Sequence, residues 1–310
     1  MSQLPYTPYS EFLARHFDHK IQKLPVDVGF TCPVRDGHLS YGGCRFCNGR
    51  SFVPDMCSPD NSVTRQLETG KRFFERKCKH TDHIGYLAYF QAGSNTYGSL
   101  EQAELYVDEA LRCPQIEGIV LATRPDCLSD KWLARLEKWA GETFVMVELG
   151  VESVTDSVLK AVGRGHGSAE SYQAIETLAA RNIQVGVHTI LGLPGETKES
   201  MLRQASWLSE LPVSVLKLHQ LQILRGALMA VDYAAHPEKF HLFTADEYVS
   251  LVADFIERLS PAVAVERFVS QSPADSLIAP RWGLKNDVLT HRIVEELHKR
   301  GSVQGCRCPM

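Results

Sequence analysis

Cys32, Cys44 and Cys47 lie in the run CPVRDGHLSYGGCRFC, a C-x11-C-x2-C spacing. A C-x2-C pair can aim two sulfurs at one inorganic centre. The long interval carries Gly37, Gly42 and Gly43, flexible points at which the loop can fold back and bring Cys32 alongside. Three chemistries compete for these thiols. A structural zinc site closes with four ligands, often as two C-x2-C pairs, and here the second pair is missing, Cys57 being the nearest candidate. Free core thiols explain poorly three cysteines in a glycine-rich loop. An iron–sulfur cluster is usually held by four thiolates. A [4Fe–4S] cluster held by only three leaves one iron open to a small molecule.

The elements that must position such a loop alternate between apolar runs and helical stretches. The runs Val26–Phe30, Ile84–Phe90, Gly118–Thr123, Thr143–Leu149, Ile183–Leu191 and Val213–Leu221 are short, rich in β-branched residues and bounded by turn residues, and they predict strands. Leu100–Arg112, Asp130–Ala140, Ala169–Arg181 and Lys198–Glu210 predict helices long enough for parallel crossovers. This rhythm predicts an α/β fold with a parallel sheet. Residues 1–223 form the expected core and 224–310 an α-rich C-terminal extension, with helices at Ala245–Leu259 and Lys285–Arg300 and a strand at Ala262–Phe268.

Alternation within strands separates two faces. Val145, Val147 and Leu149 oppose Phe144, Met146 and Glu148. Val185, Val187, Thr189 and Leu191 oppose Gln184, Gly186 and His188. Leu216 and Leu218 oppose Lys217 and His219. A sheet covered on both faces is apolar on both, and a closed small barrel fills its interior with branched apolar side chains. One charged face predicts a curved, incomplete barrel with a wet interior, where the charges either meet a ligand or pair among themselves.

The chain has 310 residues, with 33 Lys and Arg against 37 Asp and Glu, a net charge of −4, and 44% apolar residues. These values exclude a disordered chain, a coiled coil and a simple nucleic-acid coat. No apolar run approaches the roughly 20 residues of a membrane span, and the N-terminus lacks a signal-peptide pattern, so a cytoplasmic location away from membranes is expected. Nine cysteines in a reducing compartment read as thiols or metal ligands. Cys306-Arg-Cys308 reads as an exposed tail or a redox pair. The basic helix from Lys71-Arg72 through Arg76-Lys77 to Lys79-His80 reads as a solvated face or a phosphate contact.

The stretches GFTCPVRDG, GGCRFCN, AYFQAGSNT, ATRPDC, ELGVES, GRGH, HTILGLPGET and KLHQL follow one another from Gly29 to about Leu221. In that order they resemble the radical S-adenosylmethionine (SAM) superfamily. The long-loop branch of the elongator catalytic subunit is similar, and so are the stand-alone bacterial YhcC-type proteins. The first cysteine interval is longer than the commonest C-x3-C-x2-C, as it is in the elongator branch. No acetyltransferase domain fits here.

The resemblance implies a partial (β/α)6 barrel and a [4Fe–4S] cluster on Cys32, Cys44 and Cys47. Its open iron chelates S-adenosylmethionine, which is cleaved reductively to a 5′-deoxyadenosyl radical that abstracts hydrogen from a substrate. It implies Phe46 beside the adenine, Gln91, Ala92 and Gly93 at the SAM amino group, Glu152 as a polar SAM contact and Arg164 at its carboxylate. His188 would contact ribose or adenine, and Thr123 and Glu148 are further cofactor contacts. Lys217 and His219 are the candidates for substrate contact or proton handling, and Tyr89 and Tyr97 for relaying a radical. An electron donor of flavodoxin or ferredoxin type is implied. Kinship with the elongator branch suggests tRNA wobble uridine as substrate. A small metabolite, a protein side chain, or a non-catalytic iron–sulfur or zinc protein are the alternatives.

Overall fold

A computed structural model describes residues 4–49, 53–54, 56–77 and 84–308. After the short helix α1 (Tyr9–Ala14) the chain enters β1 (Lys20–Val26). Then follow α2 (Val63–Lys77), β2 (Ile84–Phe90), α3 (Leu100–Leu111), β3 (Ile116–Thr123), α4 (Asp130–Ala140), β4 (Phe144–Glu152), α5 (Asp156–Ala161), α6 (Ser168–Ala179), β5 (Gln184–Leu191), α7 (Lys198–Ser209) and β6 (Val215–Gln220). The remainder forms β7 (Ile223–Leu224), α8 (Leu228–Ala235), α9 (Ala245–Ile256), β8 (Ala264–Arg267), β9 (Leu277–Ala279) and α10 (Asn286–Arg300). The sheet runs β1-β2-β3-β4-β5-β6-β8, parallel throughout, and curls into a half-barrel with helices around it.

The expected α/β half-barrel is therefore present, and a seventh strand joins it from beyond residue 224. The first strand differs from expectation. Its paired residues are Lys20–Val26, not Val26–Phe30. Beyond Val26 the chain leaves the sheet: Gln66 takes the Asp27 amide, and Gly29 turns with φ 76°. The true strand was hidden because it is an edge strand, which tolerates Pro25 and several polar residues.

The helices pack on the outer face. Val145, Val147, Val185, Val187, Leu216 and Leu218 meet them in one continuous core. The inner face is layered. At the amino ends of the strands Ile21, Leu87, Met146 and Val215 form an apolar plug closed by Phe12 and Leu13 of α1. Above it lies a layer of charge, and above that the cysteine loop. The chain ends are stitched to the same edge: Val265 donates its amide to the Thr7 carbonyl, and the Gln304 side chain holds Thr7, Ser260 and Val263.

Candidate functional site

Parallel strands deliver all their carboxyl ends to one rim, and the loops there enclose a cavity of about 500 Å³. That lies within the roughly 300–1,000 Å³ usual for small-molecule sites. Cys32, Cys44 and Cys47 all line it, as do Phe46, Gln91, Ala92 and Gly93. So do Thr123, Glu148, Glu152, Arg164, His188, Lys217 and His219. Residues from six strand ends, separated by up to 187 positions, thus face one space.

The thiol wall is positively charged. Arg164 directs Nη1 to Cys44 Sγ at 3.4 Å, Arg35 reaches Cys47 Sγ at 3.6 Å, and Arg124 lies 4.0 Å from Cys44 Sγ. Guanidinium groups at these distances favour thiolates. Burial and the neighbouring Cys44 push the Cys47 thiol up, against donors from Gly49 and Arg35. A ligated metal centre would supply the missing stabilisation and release that proton. Among the described residues no group of three or more His, Cys, Asp or Glu side chains is gathered to hold a single ion.

Arg164 is itself locked. It donates to the Gly150 carbonyl at 2.5 Å and lies 3.6 Å from Glu152. A Cβ on Gly150 would sit 2.6 Å from Arg164 Nη2, so the glycine makes room for the guanidinium. Glu152 has φ 67°, where β4 bulges against β5. The Arg164 Nε atom is buried without a hydrogen-bond partner. That orphan donor, the three thiols and the cationic wall suit a three-thiolate cluster with an anionic ligand group beside it.

The Gln91–Gly93 turn is held by Asn95, whose amide bonds the carbonyls of Phe90, Ala92 and Ala122. Gly93, with φ 72°, gives room to the chain's own backbone: a Cβ there would lie 2.0 Å from the Phe30 carbonyl oxygen. The Thr123 hydroxyl shares hydrogen bonds with Ser94 at 2.9 Å and Thr96 at 2.6 Å.

Beneath lies the charged layer. Glu148, 1% exposed, binds Lys23, Lys217 at 2.7 Å and His188 Nε2 at 2.8 Å. Glu266 binds Lys23 at 2.5 Å and Lys217 at 3.1 Å. Lys217 also donates to the Tyr89 hydroxyl at 3.2 Å. Burial alone would raise the Glu148 carboxyl, but Lys217 and Lys23 hold it well below its usual range. The pairing of Glu148 with Lys217 is the alternative that the strand alternation left open, whereas His219 shares its Nδ1 hydrogen bond with Ser270 at 2.8 Å. His188 and His219 stack, with centroids 5.3 Å apart.

Lys23, Glu266, Arg267 and Arg124 escaped the sequence reading of the site. Lys23 was outside the assumed first strand, and Glu266 and Arg267 look like ordinary charges in a short strand. Arg124, within ATRPDC, is buried and doubly bonded to Asp126 at 2.8 and 2.7 Å. On the basic helix Arg76 is exposed. Lys71 is buried against the Pro114 carbonyl, and Arg72 pairs with Glu68 at 3.5 Å. Lys79 and His80 lie outside the described residues. Tyr97 is 3.5 Å from Asp36. Cys306 is exposed, Cys308 is half-buried, and neither is in a disulfide. Among the described residues no helix is long and apolar enough to cross a membrane.

A curled parallel sheet with a cysteine loop at its carboxyl rim defines a class of cofactor-dependent half-barrel enzymes. The chain belongs to the radical SAM superfamily and is a radical SAM enzyme: residues 40–208 match the model of that superfamily, and residues 213–299 match the radical SAM C-terminal domain. It is 32% identical to the uncharacterized protein YtqA of Bacillus subtilis, over 97% of this chain and 92% of that one. It is 31% identical to protein YhcC of Escherichia coli, over 87% and 85%. A tRNA uridine(34) acetyltransferase of Dehalococcoides mccartyi is 28% identical over 68% of this chain and 44% of its own length. Among solved structures, Elp3 of the archaeon Methanocaldococcus infernus shares the fold with a TM-score of 0.70 at 17% identity, covering 94% of this chain and 65% of that one.

Proposed function

We propose that Cys32, Cys44 and Cys47 hold a [4Fe–4S] cluster and that the enzyme modifies the wobble uridine of tRNA. The observation that carries the chemistry is one cavity lined by two unlike groups, the thiols with Arg35, Arg124 and Arg164 beside them and His188, His219 and Lys217. The cluster and S-adenosylmethionine supply a 5′-deoxyadenosyl radical on reduction by a flavodoxin- or ferredoxin-type donor. The protein's own residues bind and orient. Arg164 offers its unpartnered Nε donor and its positive charge to the methionine carboxylate. Phe46 lies against the cofactor wall, and Gln91, Ala92 and Glu152 supply polar and backbone contacts. His188 stands with His219 on the wall away from the thiols, and Lys217 is placed to hold a proton near the substrate.

Support for tRNA comes from the relatives named as tRNA uridine(34) acetyltransferases. A base stacked in the anticodon loop would have to be turned outward to enter a cavity of this size. The net charge of −4 and the burial of Lys71 on helix α2 favour a small metabolite as second reading, since RNA binding draws on basic surface.

The test is anaerobic reconstitution, iron and sulfide analysis, and a dithionite-driven assay for 5′-deoxyadenosine. An intact cluster without 5′-deoxyadenosine overturns the radical reading. Nucleoside mass spectrometry of tRNA from cells with and without the gene decides the substrate. Unchanged wobble nucleosides remove tRNA and leave the metabolite.

A further inference from the structure

The cavity holds a cation that the charged layer does not neutralise. Lys23 and Lys217 face Glu148 and Glu266, two charges of each sign. On the thiol wall Arg35 reaches Cys47, Arg124 is bound to Asp126, and Arg164 to Gly150 and Cys44. Arg267 also lines the cavity. Among the described residues its guanidinium makes no hydrogen bond or ion pair, whereas each of the other cavity-lining arginines and lysines does.

A bulge puts it there. β8 pairs with β6 as Leu216 with Val265 and then Lys217 with Arg267, so Glu266 is the extra residue. Consecutive strand residues normally face opposite sides. A bulge re-aims them, and here Glu266 reaches the buried lysines while Arg267 still faces the cavity. Its charge is felt by Tyr89, Lys217 and His219. The chain just beyond is rigid: Gln220 clasps both the amide and the carbonyl of Ser270, at 2.8 and 2.9 Å. Ser270 in turn fixes His219, whose Nε2 is buried without a partner.

We infer that Arg267 is a substrate-specificity residue, binding an oxyanion of the substrate, carboxylate or phosphate, on the wall formed with His188 and His219. The inference rests on reading this cavity as the chamber a substrate enters. An unpaired guanidinium beside a balanced layer favours one added negative charge, and its planar fork grips two oxygens at once. A neutral substrate would leave that charge uncompensated, so the wall selects against one.

The test needs neither cluster, SAM nor RNA. Full-length apoprotein is titrated with sodium acetate and, separately, with inorganic phosphate, at ionic strength held constant with chloride. The His188 and His219 ring protons are followed by NMR, assigned through H188Q and H219Q. Saturable shifts of both histidines are expected with at least one anion. A response to acetate alone identifies a carboxylate, and to phosphate alone a phosphoryl group. R267Q should weaken the response about tenfold or more, and R267K should fall between. No saturable shift in the wild type, or an unchanged affinity in R267Q, overturns the assignment. If R267Q does not fold, the wild-type titration and R267K decide. Failure here leaves the 5′-deoxyadenosine result untouched, and failure of that assay leaves the anion titration standing.

Discussion

The Glu148 carboxylate and the Lys217 ammonium lie 2.7 Å apart, both almost wholly shielded from water, on strands separated by β5. Neither can be removed alone without leaving charge uncompensated in the half-barrel.

Replacing Glu148 by Gln leaves Lys23 and Lys217 facing Glu266 alone. Breaking a buried pair from one side costs about 3–5 kcal/mol, and urea unfolding should show a loss of that order. The double variant E148Q/K217M keeps the Lys23–Glu266 pair balanced and should recover most of it. A double variant as unstable as E148Q would refute the charge-balance account.

The two lysines differ in how firmly they hold their protons. Burial works against Lys23, but Glu148 and Glu266 overcome it and hold its pKa above the ordinary value. Burial prevails at Lys217 and brings it down to about 8. A lysine whose folded value is depressed binds fewer protons when folded, so its contribution to stability rises with pH. The unfolding free energy of the wild type relative to K217M should therefore climb between about pH 8 and roughly 10.4, the unfolded lysine value, and level off beyond. A flat difference across that window would show that Lys217 titrates normally.

Cys44 lies closest to Arg164 and Arg124. On the proposed ligand assignment, C44A should fall to background in bound iron, acid-labile sulfide and 5′-deoxyadenosine after reconstitution. Retention of a full iron complement with sulfide would mean that a different residue ligates.

Two glycines near the site separate backbone fit from mere conformation. At Gly93 a methyl group would meet the Phe30 carbonyl oxygen at 2.0 Å on top of a φ of 72°, whereas at Gly42 it meets only a Leu228 methyl at 3.5 Å. G93A should lose more than about 2 kcal/mol and G42A about 1 kcal/mol, as read by thermal denaturation. Equal losses would mean that the Phe30 contact relaxes freely.

Strands β2 to β6 were legible because a parallel sheet buries whole apolar runs, and the cysteine loop because thiol spacing is local. The inner charges of β4 to β6 could be read from alternation, since Glu148, His188 and Lys217 break otherwise apolar strands. What could not be read was long-range or irregular. Lys23 sits on an edge strand where polar residues are ordinary, and it meets Glu266 across 243 positions. The bulge that turns both Glu266 and Arg267 inward leaves no trace in a four-residue strand. The proximity of Arg124, just past the end of β3, to Cys44 depends on the cysteine loop after β1 reaching across the rim past β2.

β1 and β8 are the outermost strands of the open sheet, and the Lys23–Glu266 pair joins them through side chains. A chain made from its amino end therefore exposes Lys23 long before its last counter-charge leaves the ribosome. Until residue 266 emerges, two ammonium groups share one carboxylate. The charged layer reaches balance only when the first and last strands of the sheet are both in place.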